Sequence, residues 1–159
     1  MAQIVQRVAV KAVIINEHNQ VLLLRKSNDD ERHAGKSGRY NLPGGKINPG
    51  EKIEDALRRE VREEVSLVLN ETSLLPVFVG EWRPVVRGIP HQIVGVFFAC
   101  RNWTGEIALD SEHDVFVWVG ASEVSGYDIL PPEDEALQQY FAVKNERYDP
   151  LSVLTDLPS

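Results

Sequence analysis

Glu60, Glu63 and Glu64 stand three and four positions apart within Gly45 to Leu67, a stretch whose apolar residues recur with a helical period. Carboxylates at that spacing share one side of a helix, where they can hold a divalent cation or move a proton. At about 100° per residue, Ile53, Ala56, Leu57, Val61 and Val65 fall within one half of the circumference, the half predicted to be buried. Glu60 and Glu64 lie inside that half, and Glu63 lies at its edge beside Ala56. Burying two ionised carboxylates costs on the order of several kcal/mol each unless something positive neutralises them. A bound divalent cation accounts for the pattern. Taken singly, each acid is better explained as a surface residue paired with Arg58, Arg59 or Arg62, and it is the trio in one pattern that points to chemistry.

The cations that could meet an anionic substrate are Arg25, Arg39 and Lys46, of which Lys46 follows directly on the Gly44-Gly45 pair. His91 and His113 have no metal-ligand spacing to a partner and are expected as ordinary strand or surface residues. Trp82, Trp103 and Trp118 could stack a base, but each lies in or beside an apolar run, which favours packing. Cys100 closes the apolar run Val96-Phe97-Phe98-Ala99-Cys100 and is expected to be a small core residue.

These residues need elements to position them. Val8 to Leu24 is rich in Val, Ile and Leu and is broken at Asn16–Gln20, which predicts two strands joined as a hairpin. Lys26 to Tyr40 is polar and without periodicity, a loop leading to the Leu42-Pro43-Gly44-Gly45 turn. The carboxylate-bearing helix follows Asn48-Pro49-Gly50, has Glu51, Glu54 and Asp55 near its positive end, and runs to about Val65. Strands are predicted at Pro76–Trp82, Gln92–Cys100 and Val115–Val119, with Arg87-Gly88-Ile89-Pro90 as the turn between the first two. A second helix is predicted from Glu133 to about Lys144, with Ala136, Leu137, Tyr140 and Phe141 on one side. Helices packed on a mixed sheet make this an α/β chain.

The 159 residues, 43% hydrophobic and 26% charged, suit one domain spanning 1–159 with a tail over 146–159. A net charge of −7 opposes general binding to a nucleic-acid backbone and favours a small-molecule partner. An acidic site also repels phosphates, unless a bound cation inverts the local field. A single cysteine precludes an internal disulfide, and no apolar run approaches the roughly 20 residues of a membrane helix, so a cytoplasmic location without membrane contact is expected. A homodimer is compatible with the sequence.

Gly45, five residues, Glu51, seven residues, then Arg59-Glu60-Val61-Arg62-Glu63-Glu64-Val65-Ser66-Leu67 resembles the Nudix box. That pattern is Gly, five residues, Glu, seven residues, Arg-Glu-aliphatic-any-Glu-Glu-any-Gly-aliphatic. Only Ser66, in place of the last glycine, departs from it. Glycine there permits a left-handed helix end, which serine adopts at a cost of about 1 kcal/mol without removing any ligand.

The resemblance implies an α/β/α sandwich in which the box binds Mg²⁺, with Mn²⁺ as a substitute, and hydrolyses a nucleoside diphosphate linked to another group. Glu60 and Glu64 are then metal ligands. Glu63 is a further ligand or the base that deprotonates water, and the carbonyl of Gly44 or Gly45 adds a ligand. Glu51 and Arg59 brace the box. Glu112, in the loop before the last strand, is the second candidate base by analogy with similar proteins. The substrate expected first is a nucleoside triphosphate, cleaved to monophosphate and pyrophosphate; ADP-ribose or a dinucleoside polyphosphate comes next. Two rivals remain: a Nudix-like module that senses a nucleotide without cleaving it, and a prenyl diphosphate isomerase, which would want its cysteine in a site loop rather than in a strand.

Overall fold

The computed structural model describes residues 3–27 and 35–145. Residues 28–34 of the Lys26–Tyr40 loop and the whole expected tail lie outside the described residues. The strands are β1 (Val5–Ile14), β2 (Val21–Lys26), β3 (Tyr40–Asn41), β4 (Gly44–Lys46), β5 (Val68–Leu69), β6 (Leu75–Trp82), β7 (Val85–Val86), β8 (Ile89–Cys100), β9 (Trp103–Thr104) and β10 (His113–Val119). Helix α1 spans Ile53–Val65 and α2 spans Glu133–Asn145, both close to their expected limits. One sheet runs β4-β1-β8-β6, with β1 and β8 parallel and the outer pairs antiparallel; a second runs β10-β2-β3.

Alternation along β1 and β2 feeds two cores. Val10, Ala12, Ile14, Leu22 and Leu24 pack with Ala56, Leu57, Val61 and Val65 of α1. Val13, Ile15, Val21 and Leu23 pack with Ala136, Leu137 and Phe141 of α2. Successive strand side chains point to opposite faces, so a strand covered on both sides is apolar at nearly every position. The result is the expected α/β/α sandwich.

The expected hairpin exists only at its turn. Asn16 Oδ1 accepts from the N–H groups of His18 and Gln20, and Ile15 bridges Val21. Beyond that bridge β1 and β2 part into different sheets, because one short segment wedges between them. Tyr40–Asn41 pair with β2, Gly44–Lys46 pair with β1, and the Ala12 N–H donates to Pro43 O at 2.8 Å. The turn after β7 is also tighter than expected. Only Arg87 and Gly88 turn, both with positive φ, while Ile89 and Pro90 already pair with Val86 and Val85.

Ile53 does not join the core and stays 47% exposed. The first turn of α1 reaches past the packed part of the sheet, so Ile53 lines an open groove with Val8 and Val94 instead.

Candidate active site

The wedge Tyr40–Lys46 brings backbone against α1, and two glycines make that approach possible. At Gly45 a Cβ would lie 2.7 Å from the Glu60 carboxylate, so any other residue would displace it. Gly44 has φ +140°, and a Cβ there would overlap Val10 O and the Lys11 backbone. Its N–H donates to Glu64 Oε2 at 2.9 Å. Glu60 and Glu64 are thus brought together under one turn.

Burial first, then the nearby charges of Glu60 and Asp110, raise the pKa of Glu64 to about 8 against the pull of Lys11 and the Gly44 N–H. Burial also raises Glu60, with Arg59 opposing. Glu63 points outward, 59% exposed, with Arg59 Nη1 at 3.3 Å. Among the described residues no three His, Cys, Asp or Glu side chains are gathered as a ready-made metal cage.

Arg59 holds the box together. Its Nε and Nη2 donate to the two carboxylate oxygens of Glu51 at 2.8 and 2.9 Å, Nη2 also reaches Lys46 O at 3.2 Å, and Nη1 donates to Glu60 Oε1 at 2.9 Å. Hydrogen bonds from Arg59 and the Asn48 N–H lower Glu51 to about 2. The guanidinium ties the turn before the helix to the carboxylate that lies beneath Gly45.

At the other end of α1, Ser66 takes the left-handed conformation, φ 62° and ψ 18°. Its N–H caps Arg62 O and its Oγ donates to Ala108 O at 3.2 Å. The serine therefore preserves the backbone path a glycine would give.

A family model described as the NUDIX domain matches residues 5–142. The chain belongs to the Nudix family. Among curated relatives, the nucleoside triphosphatase NudI of Klebsiella pneumoniae is 34% identical over 97 residues, 58% of this chain and 69% of that protein. Among solved structures, the MutT protein of Methanosarcina mazei Go1 superposes with a TM-score of 0.71 at 24% identity, covering 92% of this chain and all of that one. The MutT NUDIX hydrolase of Burkholderia pseudomallei gives 0.68 at 22%, covering 84% and 97%. The protein is a Nudix hydrolase, a pyrophosphohydrolase by family.

The donor set of this Nudix box fits a hard divalent cation. Glu60 and Glu64 are half-buried carboxylates that lie against the Gly44–Gly45 turn, close enough for the charge of Glu60 to raise Glu64, and carboxylate oxygen is the donor chemistry that Mg²⁺ prefers.

Other expected residues lie elsewhere in the Nudix fold. Arg25 is held by Asp114 at 2.8 and 3.0 Å, and Arg39 by Asp128 at 3.1 and 3.2 Å. Lys46 is exposed and lines a groove of about 740 Å³ with Arg7, Gln6, Gln92, Asn48 and the apolar Val8, Ile53 and Val94. Glu112 is 46% exposed with Lys26 Nζ 3.8 Å away. Trp82 stacks on Phe97 and Trp103 on Trp118, so all three tryptophans are packing residues. Cys100 is buried, and burial raises its thiol.

Three residues with charge or hydrogen-bonding roles near the site escaped sequence reasoning. His113 is not an ordinary surface or strand residue: its ring is fully enclosed, with Nδ1 2.7 Å from Asp110 Oδ1 and Nε2 3.2 Å from the Asn41 amide. Burial lowers its pKa, against the pull of the Asp110 carboxylate. Asp110, whose N–H donates to Glu64 O at 3.1 Å, is the loop acid whose charge acts on Glu64. Lys11 lies on the far side of the turn. A lone Lys inside Val8–Ile15 was the available signal.

Proposed function

We propose that this Nudix hydrolase is Mg²⁺-dependent, accepts Mn²⁺, and cleaves nucleoside triphosphates to nucleoside monophosphate and pyrophosphate. The observation that carries the reading is the pair Glu60 and Glu64 under the Gly44–Gly45 turn, with the curated nucleoside triphosphatase relative supporting the substrate class. Glu60, Glu64 and a carbonyl of Gly44 or Gly45 would hold the cation; Glu63 would join them when a further ion is bound. The ion would neutralise diphosphate charge and make water acidic enough to attack near neutral pH.

The remaining work falls to the chain's own side chains. Arg59, fixed by Glu51, keeps Glu60 aimed under Gly45 and sets the height of the turn. Glu63, exposed on the same helix, takes the proton from the attacking water; Glu112 is the alternative base on the neighbouring loop. Lys46 and Arg7 meet substrate phosphate, since neither has a carboxylate partner among the described residues, whereas Arg25 and Arg39 are already paired.

The test is hydrolysis of a panel of ribo- and deoxyribonucleoside triphosphates, ADP-ribose and a dinucleoside tetraphosphate, with Mg²⁺, Mn²⁺ or chelator. Pyrophosphate release from triphosphates, abolished by chelator, is expected. Cleavage confined to ADP-ribose or dinucleotides, or orthophosphate as the primary product, overturns the substrate assignment.

A further inference from the structure

Lys11 is the only charged residue in the apolar run Val8–Ile15, and its neighbours Val10 and Ala12 are fully buried. Its Nζ lies 2.8 Å from Glu133 Oε1 and donates to Leu42 O at 3.1 Å. Glu133, the first residue of α2, uses its other oxygen to accept from the Leu42 N–H at 3.2 Å. One ion pair therefore grips both the N–H and the C=O of Leu42, at the start of the site turn. Two residues on, the Gly44 N–H is held by Glu64. Gly44 is also the register partner of Lys11 across β1 and β4.

The turn is thus clamped from one side by Lys11 and Glu133 and from the other by Glu64. Charge passes across it as well: Lys11 stabilises ionised Glu64 and Glu60, and both carboxylates act back on Lys11. The paired side chains are only 12% and 3% exposed, so water and salt screen this field weakly. A pin between α2 and the turn does not require charge, because replacing a buried ion pair by apolar groups is often neutral or stabilising. What apolar groups cannot supply is a field at Glu60 and Glu64.

We propose that Lys11 and Glu133 are positioning residues that set how strongly Glu60 and Glu64 hold a divalent cation, Lys11 weakening the hold and Glu133 tempering Lys11. The proposal rests on the reading of those two carboxylates as the cation site. It makes the free protein a modest cation binder that gains its hold once substrate phosphates contribute negative charge.

The test is Mn²⁺ binding to metal-free, nucleotide-free protein, followed by electron paramagnetic resonance, with Mg²⁺ measured by competition and folding checked by melting temperature. Glu133→Gln keeps an acceptor for the Leu42 N–H while removing the charge that neutralises Lys11. It should weaken binding roughly threefold. Adding Lys11→Met in the Glu133→Gln background should tighten binding roughly tenfold relative to Glu133→Gln alone. A purely structural clamp would instead loosen binding at both steps, in parallel with lost stability. The proposal fails if the double variant binds Mn²⁺ no tighter than Glu133→Gln. Unchanged Mn²⁺ affinity in Glu64→Gln would show the ion to be elsewhere, and overturn the site reading together with the proposal.

Discussion

Glu64 is enclosed, accepts one hydrogen bond from Gly44, and is pushed up to about 8 by its burial. Glutamine keeps the size and an acceptor oxygen for that bond, but cannot carry the charge a cation needs. Glu64→Gln is therefore expected to lower turnover by about a thousandfold or more without destabilising the metal-free protein, whose melting temperature should match wild type at acid pH, where Glu64 is already neutral. Steady-state kinetics beside thermal denaturation would check both halves, and retained activity would sink the role given to Glu64. Ser66 offers the opposite kind of variant. Its left-handed backbone costs about 1 kcal/mol relative to glycine, partly offset by the exposed hydrogen bond from Oγ to Ala108 O. Ser66→Gly should stabilise the protein by somewhat less than about 1 kcal/mol in urea denaturation, with activity unchanged. Destabilisation would mean that the Ala108 contact outweighs the backbone cost.

At the scale of elements, α1 and α2 and the strands β1, β2, β6, β8 and β10 follow from local apolar patterning, because their apolar residues recur as helix and strand geometry requires. Ile53 and the hairpin do not follow, for a shared reason. Periodicity says which residues of an element could be buried, but not how far the neighbouring element extends or what inserts between two strands. The wedge at Tyr40–Lys46 carries Gly44 and Gly45, and its pairing with both β1 and β2 is long-range information that no local pattern contains. The box was legible because its spacing is local to one turn and one helix. Lys11, Asp110 and His113 were not, since they reach the site from distant parts of the chain. Gly45→Ala tests the wedge directly. A methyl group 2.7 Å from the Glu60 carboxylate must move either the turn or the side chain. Divalent-ion affinity should fall by at least about tenfold, with a stability loss of about 1–2 kcal/mol. An alanine variant with unaltered Mn²⁺ affinity would separate Glu60 from the cation site.

For the whole molecule, two buried groups give stability opposing dependences on pH. His113 has its pKa lowered on folding, so the unfolded chain binds the extra proton first. Its contribution is fully present above the unfolded value near 6.5 and is lost as pH falls below it. Glu64 is raised from 4.5 to about 8 on folding. In the metal-free protein the unfolded chain releases that proton first, so the contribution of Glu64 is present below about 4.5 and is lost as pH rises through 8. A cation held by Glu64 needs the ionised form, and so favours the state that burial disfavours. The stabilisation that Mg²⁺ confers should therefore grow between pH 6 and pH 8, on top of the mass-action effect of about 2.7 kcal/mol at a hundredfold excess over Kd. Melting curves across that range, with Mg²⁺ or with chelator, measure the difference. In Glu64→Gln the metal-free protein should lose its decline towards alkaline pH, and added Mg²⁺ should no longer raise the melting temperature. If wild type and variant respond to Mg²⁺ alike at every pH, the ion that stabilises the fold is not bound by Glu64.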